Sequence, residues 1–140
     1  MMLAREQGSP GGREAFVAST EHGNEVAWLL ELAVNPGQFD AVWALMEEMV
    51  ASTRSEPGAL SYAWFVGEEN RTVALYERYA DSAAVLAHMA TFGEKFAPRF
   101  LAAMTPTRLT VFGDPSDAAR QTLAGLNPTY LGFLGGFTAR

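Results

Sequence analysis

Residues 25–34 read EVAWLLELAV, and this stretch decides the fold because it is apolar on both faces of the strand that it predicts. Successive side chains of a strand point to opposite faces of the sheet. One face then carries Val26, Trp28, Leu30, Leu32 and Val34, and the other carries Ala27, Leu29, Glu31 and Ala33. A strand with one solvated face would alternate apolar and polar residues, so both faces of this strand must be covered.

The segments that follow predict two helices on one side of a single sheet. Apolar residues recur at helical spacing after Pro36, with Trp43 among them, and Glu56-Pro57-Gly58 ends this first helix. Residues 59–79 alternate in the manner of a hairpin, and residues 81–104 predict a second helix that Gly93 and Pro98 bend or split. Residues 107–113 supply a fourth strand. The order βαββαβ is that of the ferredoxin-like α+β fold, with an antiparallel sheet.

Three parts of the chain differ in composition. Residues 1–24 are rich in Gly, Ser, Pro and charge, which predicts a flexible tail. Residues 25–113 hold the predicted domain. Residues 114–140 predict a short capped helix and an apolar arm with Tyr130, Phe133 and Phe137. That arm would wrap a partner subunit, cover a pocket, or add a strand to its own domain.

Composition excludes several classes of function. The net charge is −6 with one lysine, Lys95, which argues against nucleic-acid binding because that needs clustered cations. The chain has no cysteine and two distant histidines, so we expect no metal site and a cytoplasmic protein. No segment reaches the roughly 18 apolar residues of a membrane span.

The second face of the sheet predicts a homodimer. Two helices cover one face, and an apolar face left bare would bind another surface. A second copy laid sheet to sheet around a twofold axis is the simplest cover, with Leu29 in the interface. We expect Glu31 and Glu77, on the central strands, to meet in that interface as structural carboxylates, with Arg108 or a partner's arginine pairing with Glu31.

The sequence resembles the antibiotic biosynthesis monooxygenase family of dimeric α+β barrels. The matching stretches are Val34-Asn35-Pro36-Gly37, residues 56–62 (EPGALSY) and residues 75–79 (LYERY), with Tyr79 nine residues before His88. The resemblance implies homodimers with a small cavity between sheet and helices. Members include cofactor-free oxygenases that act on polycyclic phenols, haem-degrading enzymes, signal-molecule isomerases and many proteins without a known reaction. We expect no cofactor here, and whether the protein is an enzyme stays open at this point.

His88 is the candidate catalytic residue. It borders the apolar stripe of the second helix, and an imidazole gains and loses a proton near neutral pH, as a general base must. The alternative is a structural histidine that bonds a backbone carbonyl. Five aromatic residues are candidates for substrate contact, although core filling is the better interpretation for Trp64: Tyr62, Trp64, Tyr76, Tyr79 and Phe92.

The leading hypothesis is therefore a cofactor-independent monooxygenase for a small aromatic or quinone-like molecule. A non-catalytic dimer that binds a small molecule in the same cavity is the second hypothesis. An isomerase of a small carbonyl compound, with His88 as the proton shuttle, is the third.

Overall fold

A computed structural model describes residues 23–139, which form one sheet with helices on one of its faces. The strands are β1 (Val26–Val34), β2 (Ala59–Val66), β3 (Thr72–Tyr79), β4 (Met104–Phe112) and β5 (Thr129–Leu131). The helices are α1 (Phe39–Arg54), α2 (Ser82–Lys95), α3 (Ala97–Ala103) and α4 (Asp117–Leu123). The first six elements of the prediction are confirmed in type and order, and the predicted tail falls almost wholly outside the described residues.

The sheet has the strand order β2-β3-β1-β4-β5, so β1 lies at its centre. β1 pairs antiparallel with β3 and β4, and β2 pairs antiparallel with β3, as the ferredoxin-like plan requires. β5 is an addition at the edge, parallel to β4. The sheet of one chain is open, so a closed barrel would need a second copy.

The helices cover the face of β1 that carries Val26, Trp28, Leu30 and Leu32, all of which are buried. From α1, this core receives Val42, Leu45 and Met49. Trp43 does not join it: the expectation that it lies on the buried stripe is wrong, because its side chain is 55% exposed. The buried stripe of α1 passes through Leu45 instead, on the opposite side of the helix from Trp43.

The predicted second helix is divided in two. Its first half begins at Asp81, whose Oδ1 accepts a hydrogen bond from the backbone N–H of Ala84 at 2.8 Å. Phe96 leaves the helical conformation, with φ of −126°, and Pro98 occupies the first turn of α3, where a missing N–H costs nothing. Gly93 lies inside α2. The break turns Phe100 of α3 toward the sheet, where it is buried.

The second face of the sheet carries partly exposed apolar side chains. Leu29 and Tyr76 are cross-strand neighbours there, and Phe65 and Phe112 are exposed on the same side. Residues 131–135 run past one end of this face and form a shallow cleft with Ala27 and Tyr76. Within this run, the side chain of Leu134 is 96% exposed. Of the alternatives for the C-terminal segment, an added strand is observed as β5.

No helix in residues 23–139 combines the length and the apolar character needed to cross a bilayer. The cytoplasmic location stays a prediction from the sequence.

Candidate functional site

A cavity of about 280 Å³ lies between the helices and the inner face of the sheet. Ligand pockets in proteins typically measure about 300–1,000 Å³, so this one suits a small ligand. Its wall is mostly apolar and comes from every layer of the fold: Trp28, Leu30, Met49, Tyr62, Leu75, Glu77, His88, Met89, Phe92, Phe100, Leu101, Pro106, Leu109, Thr122, Leu123, Gly125 and Leu126. Leu101, Thr122 and Gly125 are exposed, so the cavity opens to solvent on their side.

His88 lies in the cavity wall between two carboxyl groups. Its Nδ1 is 3.0 Å from Oε1 of Glu56, and its Nε2 is 3.4 Å from Oε1 of Glu77. The residue is 5% exposed. A neutral imidazole has one N–H, so a hydrogen bond from Nδ1 to Glu56 leaves Nε2 as the basic nitrogen, on the side of Glu77. Glu56, His88 and Glu77 are called the His88 cluster below.

A tight turn brings Glu56 to His88. Glu56 follows α1, and Gly58 packs directly on Ala84 of α2, so closely that a Cβ at position 58 would collide with the Ala84 methyl group. The carbonyl of Gly58 also accepts a hydrogen bond from the N–H of Ala80 at 2.9 Å. Ala84 lies one helical turn before His88, on the same side of α2. Glycine at position 58 therefore sets the distance between Glu56 and the imidazole.

Glu77 is a buried carboxyl group, 3% exposed, in the middle of β3. Burial raises its pKa above the ordinary value of 4.5, and the charge of Glu56 adds to that effect. His88 and the hydrogen bonds from Tyr79 and Trp28 act in the opposite direction. The Tyr79 hydroxyl donates to Oε1 at 2.6 Å. Glu77 is thus a carboxyl group that holds its proton more firmly than an exposed one and has a defined geometry.

The two tyrosines of the site are un-ionised phenols. Burial, followed by the charge of Glu77, raises the pKa of both Tyr62 and Tyr79 far above that of free tyrosine. Their rings pack against the imidazole of His88 in tilted arrangements, with centroids 5.6 Å and 5.0 Å away. Trp64 and Thr53 interact with the buried Tyr62 hydroxyl and act on its pKa in the opposite direction.

The structure brings together three of the five aromatic candidates around the cavity. Tyr62 and Phe92 line it, and Tyr79 lies behind Glu77. Trp64 packs edge-on against Phe100 at 6.2 Å, which is a core position. Tyr76 lies on the other face of the sheet, opposite Leu29, and does not reach the cavity.

The structure also corrects the placement of Glu77. It is the cross-strand neighbour of Trp28, on the cavity face, whereas Glu31 is the neighbour of Ala74, on the other face. The two carboxylates therefore cannot meet at one interface. Glu31 lies 4.0 Å from the Nε atom of Arg108, the partner expected for it. Leu29 lies on the same face as Glu31.

Sequence reasoning missed two contributions to the site. Glu56 appeared in the helix stop and at the start of the EPGALSY stretch, and no role in the site was assigned to it. The other is the C-terminal wall, formed by Leu123 of α4 and by Gly125 and Leu126 of the short 3₁₀ turn that follows. The apolar spacing of Leu123 and Leu126 was a signal for this packing.

Among residues 23–139, no cluster of three or more metal-ligating side chains is present. The chemistry that the described residues offer is proton transfer: an imidazole, a buried carboxyl group and two phenols at the inner end of an apolar cavity. Such a site excludes water from the reacting group and strengthens its electrostatic interactions.

The chain belongs to the antibiotic biosynthesis monooxygenase family, whose model matches residues 26–105. This confirms the resemblance seen in the sequence. The matched region contains the whole His88 cluster and ends before α4. No curated protein matches the chain closely enough in sequence to be counted as a relative.

Solved structures share the fold. MupZ from Pseudomonas fluorescens is 20% identical, with a TM-score of 0.73 over 83% of this chain and 95% of MupZ. SnoaB from Streptomyces nogalater, a cofactor-independent oxygenase, is 16% identical, with a TM-score of 0.57 over 66% of this chain and 95% of SnoaB. A structure of an antibiotic biosynthesis monooxygenase is 28% identical, with a TM-score of 0.53 over 61% of this chain and 92% of that one.

Proposed function

We propose that this protein is a cofactor-independent monooxygenase that acts on a small aromatic or quinone-like molecule bound in the cavity. The observation that carries the proposal is the His88 cluster at the inner end of an apolar cavity. Membership of the monooxygenase family supports it. The likeness to SnoaB, which performs oxygenation without a cofactor, is in keeping with it.

The residues suit a reaction in which the substrate itself supplies the electrons. His88, oriented by Glu56, accepts the phenolic proton of the substrate. The phenolate then transfers one electron to O₂, and the radical pair combines to a hydroperoxide at a ring carbon. Loss of water leaves a carbonyl at that carbon, so one oxygen atom enters the product and the other leaves as water. Trp28, Phe92 and Phe100 supply the apolar walls that such a ring needs.

An isomerase of a small carbonyl compound is the second candidate. It is favoured by one observation: both nitrogens of His88 face carboxyl groups, an arrangement that moves protons without any oxidation. A binding protein without catalysis is the third. It would use the same cavity and leave the cluster as a structural network.

Oxygen uptake separates these candidates. Purified protein is mixed with a panel of one- to three-ring phenols and hydroquinones in an oxygen-electrode cell, and the products are identified by mass spectrometry. Protein-dependent uptake with one ¹⁸O atom in the product supports the monooxygenase. We expect His88→Gln to lower that rate on the order of 10²-fold, because glutamine cannot take a proton. Glu48→Gln, on the surface, is the matched control. Ligand-induced thermal stabilisation without uptake would favour the binding protein.

We also propose that the working form is a homodimer joined through the second face of the sheet. That face holds Leu29, Tyr76, Phe65 and Phe112, and exposed apolar groups of this kind favour burial against a partner. The arm, with Leu134 and Phe137 exposed, would add to the contact. Members of a ferredoxin-like family with an open sheet can close a barrel in this way.

A further inference from the structure

The inner end of the cavity contains a carboxyl group for which the function proposed above has no separate use. Glu77 lines the cavity, whereas both ring nitrogens of His88 are directed at carboxyl groups. A ligand that approached Nε2 would have to displace Glu77 from its position beside that nitrogen. A ligand at the inner end of the cavity would meet the Glu77 carboxyl group, which lines the cavity and accepts a hydrogen bond from Tyr79 at Oε1.

Side-chain exposure to solvent decreases along the His88 cluster from Glu56 to Glu77. The Glu56 side chain is 15% exposed, that of His88 7%, and that of Glu77 4%. The contacts that connect them are 3.0 Å and 3.4 Å. The cluster thus leads from the solvent edge at Glu56 to the closed end of the cavity at Glu77. A proton taken up by Glu77 at the inner end of the cavity can reach solvent along this route.

We propose that Glu77 is the group that exchanges a proton with the molecule in the cavity, and that His88 and Glu56 pass this proton to and from solvent. The inference rests on the proposed function and refines it: the proton that His88 was proposed to accept from the substrate reaches the imidazole through Glu77. In the forward direction the bond between hydrogen and the ligand breaks and an O–H bond forms on Glu77. That proton moves to Nε2 of His88 while Nδ1–H is transferred to Glu56, which releases it to water. Charge and protons balance at each step, and no oxidant is involved.

The surroundings of Glu77 suit this role. Three groups besides the ligand act on its carboxyl group: His88 from α2, and Tyr79 and Trp28 from the sheet. Glu56 acts on it from beyond the imidazole. Burial raises the pKa of Glu77, which makes its ionised form a stronger base than an exposed glutamate. The Tyr79 hydroxyl holds Oε1 and leaves the carboxyl group unable to turn away from the cavity.

The test measures proton exchange apart from oxidation. The probe is 2-tetralone, an aromatic ketone with an acidic C–H bond, kept under nitrogen in deuterium oxide. Loss of its C–H signal is followed by NMR. We expect wild-type protein to accelerate exchange, and Glu77→Gln to lower the rate on the order of 10²-fold or more. Glu56→Gln lowers it less, because the base remains and only the route to solvent is cut. Glu48→Gln serves as the control.

The pH profile identifies the group that touches the probe. Tyr79→Phe removes a hydrogen bond that lowers the pKa of Glu77, so its carboxylate forms only at higher pH and the acid limb of the exchange profile moves upward. Tyr130→Phe, at the edge strand, is the matched control and leaves the limb in place. If Glu77→Gln fails to fold, Tyr79→Phe takes its place as the test, because the Glu77 carboxyl group remains in that variant.

Three results would overturn the proposal. The first is exchange by Glu77→Gln within about threefold of wild type while His88→Gln is inactive, which would make His88 the contact group. The second is an acid limb that Tyr79→Phe does not move. The third is a wild-type protein that exchanges no faster than buffer. Exchange without oxygen uptake on any phenol would instead contradict the monooxygenase and leave the relay supported.

Discussion

Replacing His88 by alanine tests the physical account of the cluster through stability alone, without any substrate. The imidazole is buried and packs against the tilted rings of Tyr62 and Tyr79. Deleting a buried side chain of this size removes packing worth about 2–3 kcal/mol. It also leaves the Glu77 carboxyl group without one of its polar neighbours, which costs about 1–3 kcal/mol. We expect His88→Ala to lose about 3–5 kcal/mol of unfolding free energy at pH 8.

Urea denaturation at pH 8, followed by tryptophan fluorescence at one fixed protomer concentration, measures this loss. His88→Gln is the comparison, because it keeps most of the volume and a donor for one carboxyl group, and its loss should be about 1–2 kcal/mol. A His88→Ala variant within about 0.5 kcal/mol of wild type would refute the reasoning.

Three further predictions concern other parts of the molecule. Leu29→Arg should convert a dimer of about twice 15.2 kDa into a monomer, because it puts an unpaired charge into the proposed interface. Sedimentation velocity measures the mass, and a monomeric wild type would contradict the prediction. Gly113→Ala should lower the free energy of unfolding, measured by urea denaturation, by about 1–3 kcal/mol, because φ is +114° and a Cβ there would lie 2.6 Å from the Glu25 carbonyl oxygen. Gly125→Ala, where a Cβ would enter open space, should lower it far less. Leu126→Trp should narrow the cavity and weaken the binding of 2-tetralone about tenfold or more, with little change in Tm. A fluorescence titration measures the binding, and unaltered binding would show that the ligand lies elsewhere.

The fold was predictable because each element has its own pattern. The apolar run of β1, the helical spacing in α1, the capping residue Asp81 and the breaker Pro98 act locally, and the structure agrees with them. Trp43 was misplaced because the buried stripe of α1 passes through Leu45, and Trp43 lies on the opposite side of the helix from that residue. Propensity cannot decide between two neighbouring apolar residues of a helix.

The faces of β3 were predictable, although the prediction assigned them wrongly. Val73, Leu75, Glu77 and Tyr79 share one parity, and Tyr76 has the other. Glu77 therefore belongs with the buried apolar residues, and Tyr76 and Tyr79 cannot both face one cavity. Glu56 is a different case. Its approach to His88 depends on the contact between Gly58 and Ala84, a tertiary contact that no local pattern contains.

The cavity has walls from two different parts of the chain. The His88 cluster lies inside the stretch shared with the family, at residues 26–105, and the opposite wall comes from α4 and Leu126, beyond it. The second wall is held by its own contacts, such as the Arg120 guanidinium over the Tyr130 ring at 4.1 Å. Selection on the C-terminal segment can thus alter which molecules fit without disturbing the acid–base groups. Exchanging residues 114–131 between members of the family would be a direct way to transplant ligand preference onto an unchanged reaction centre.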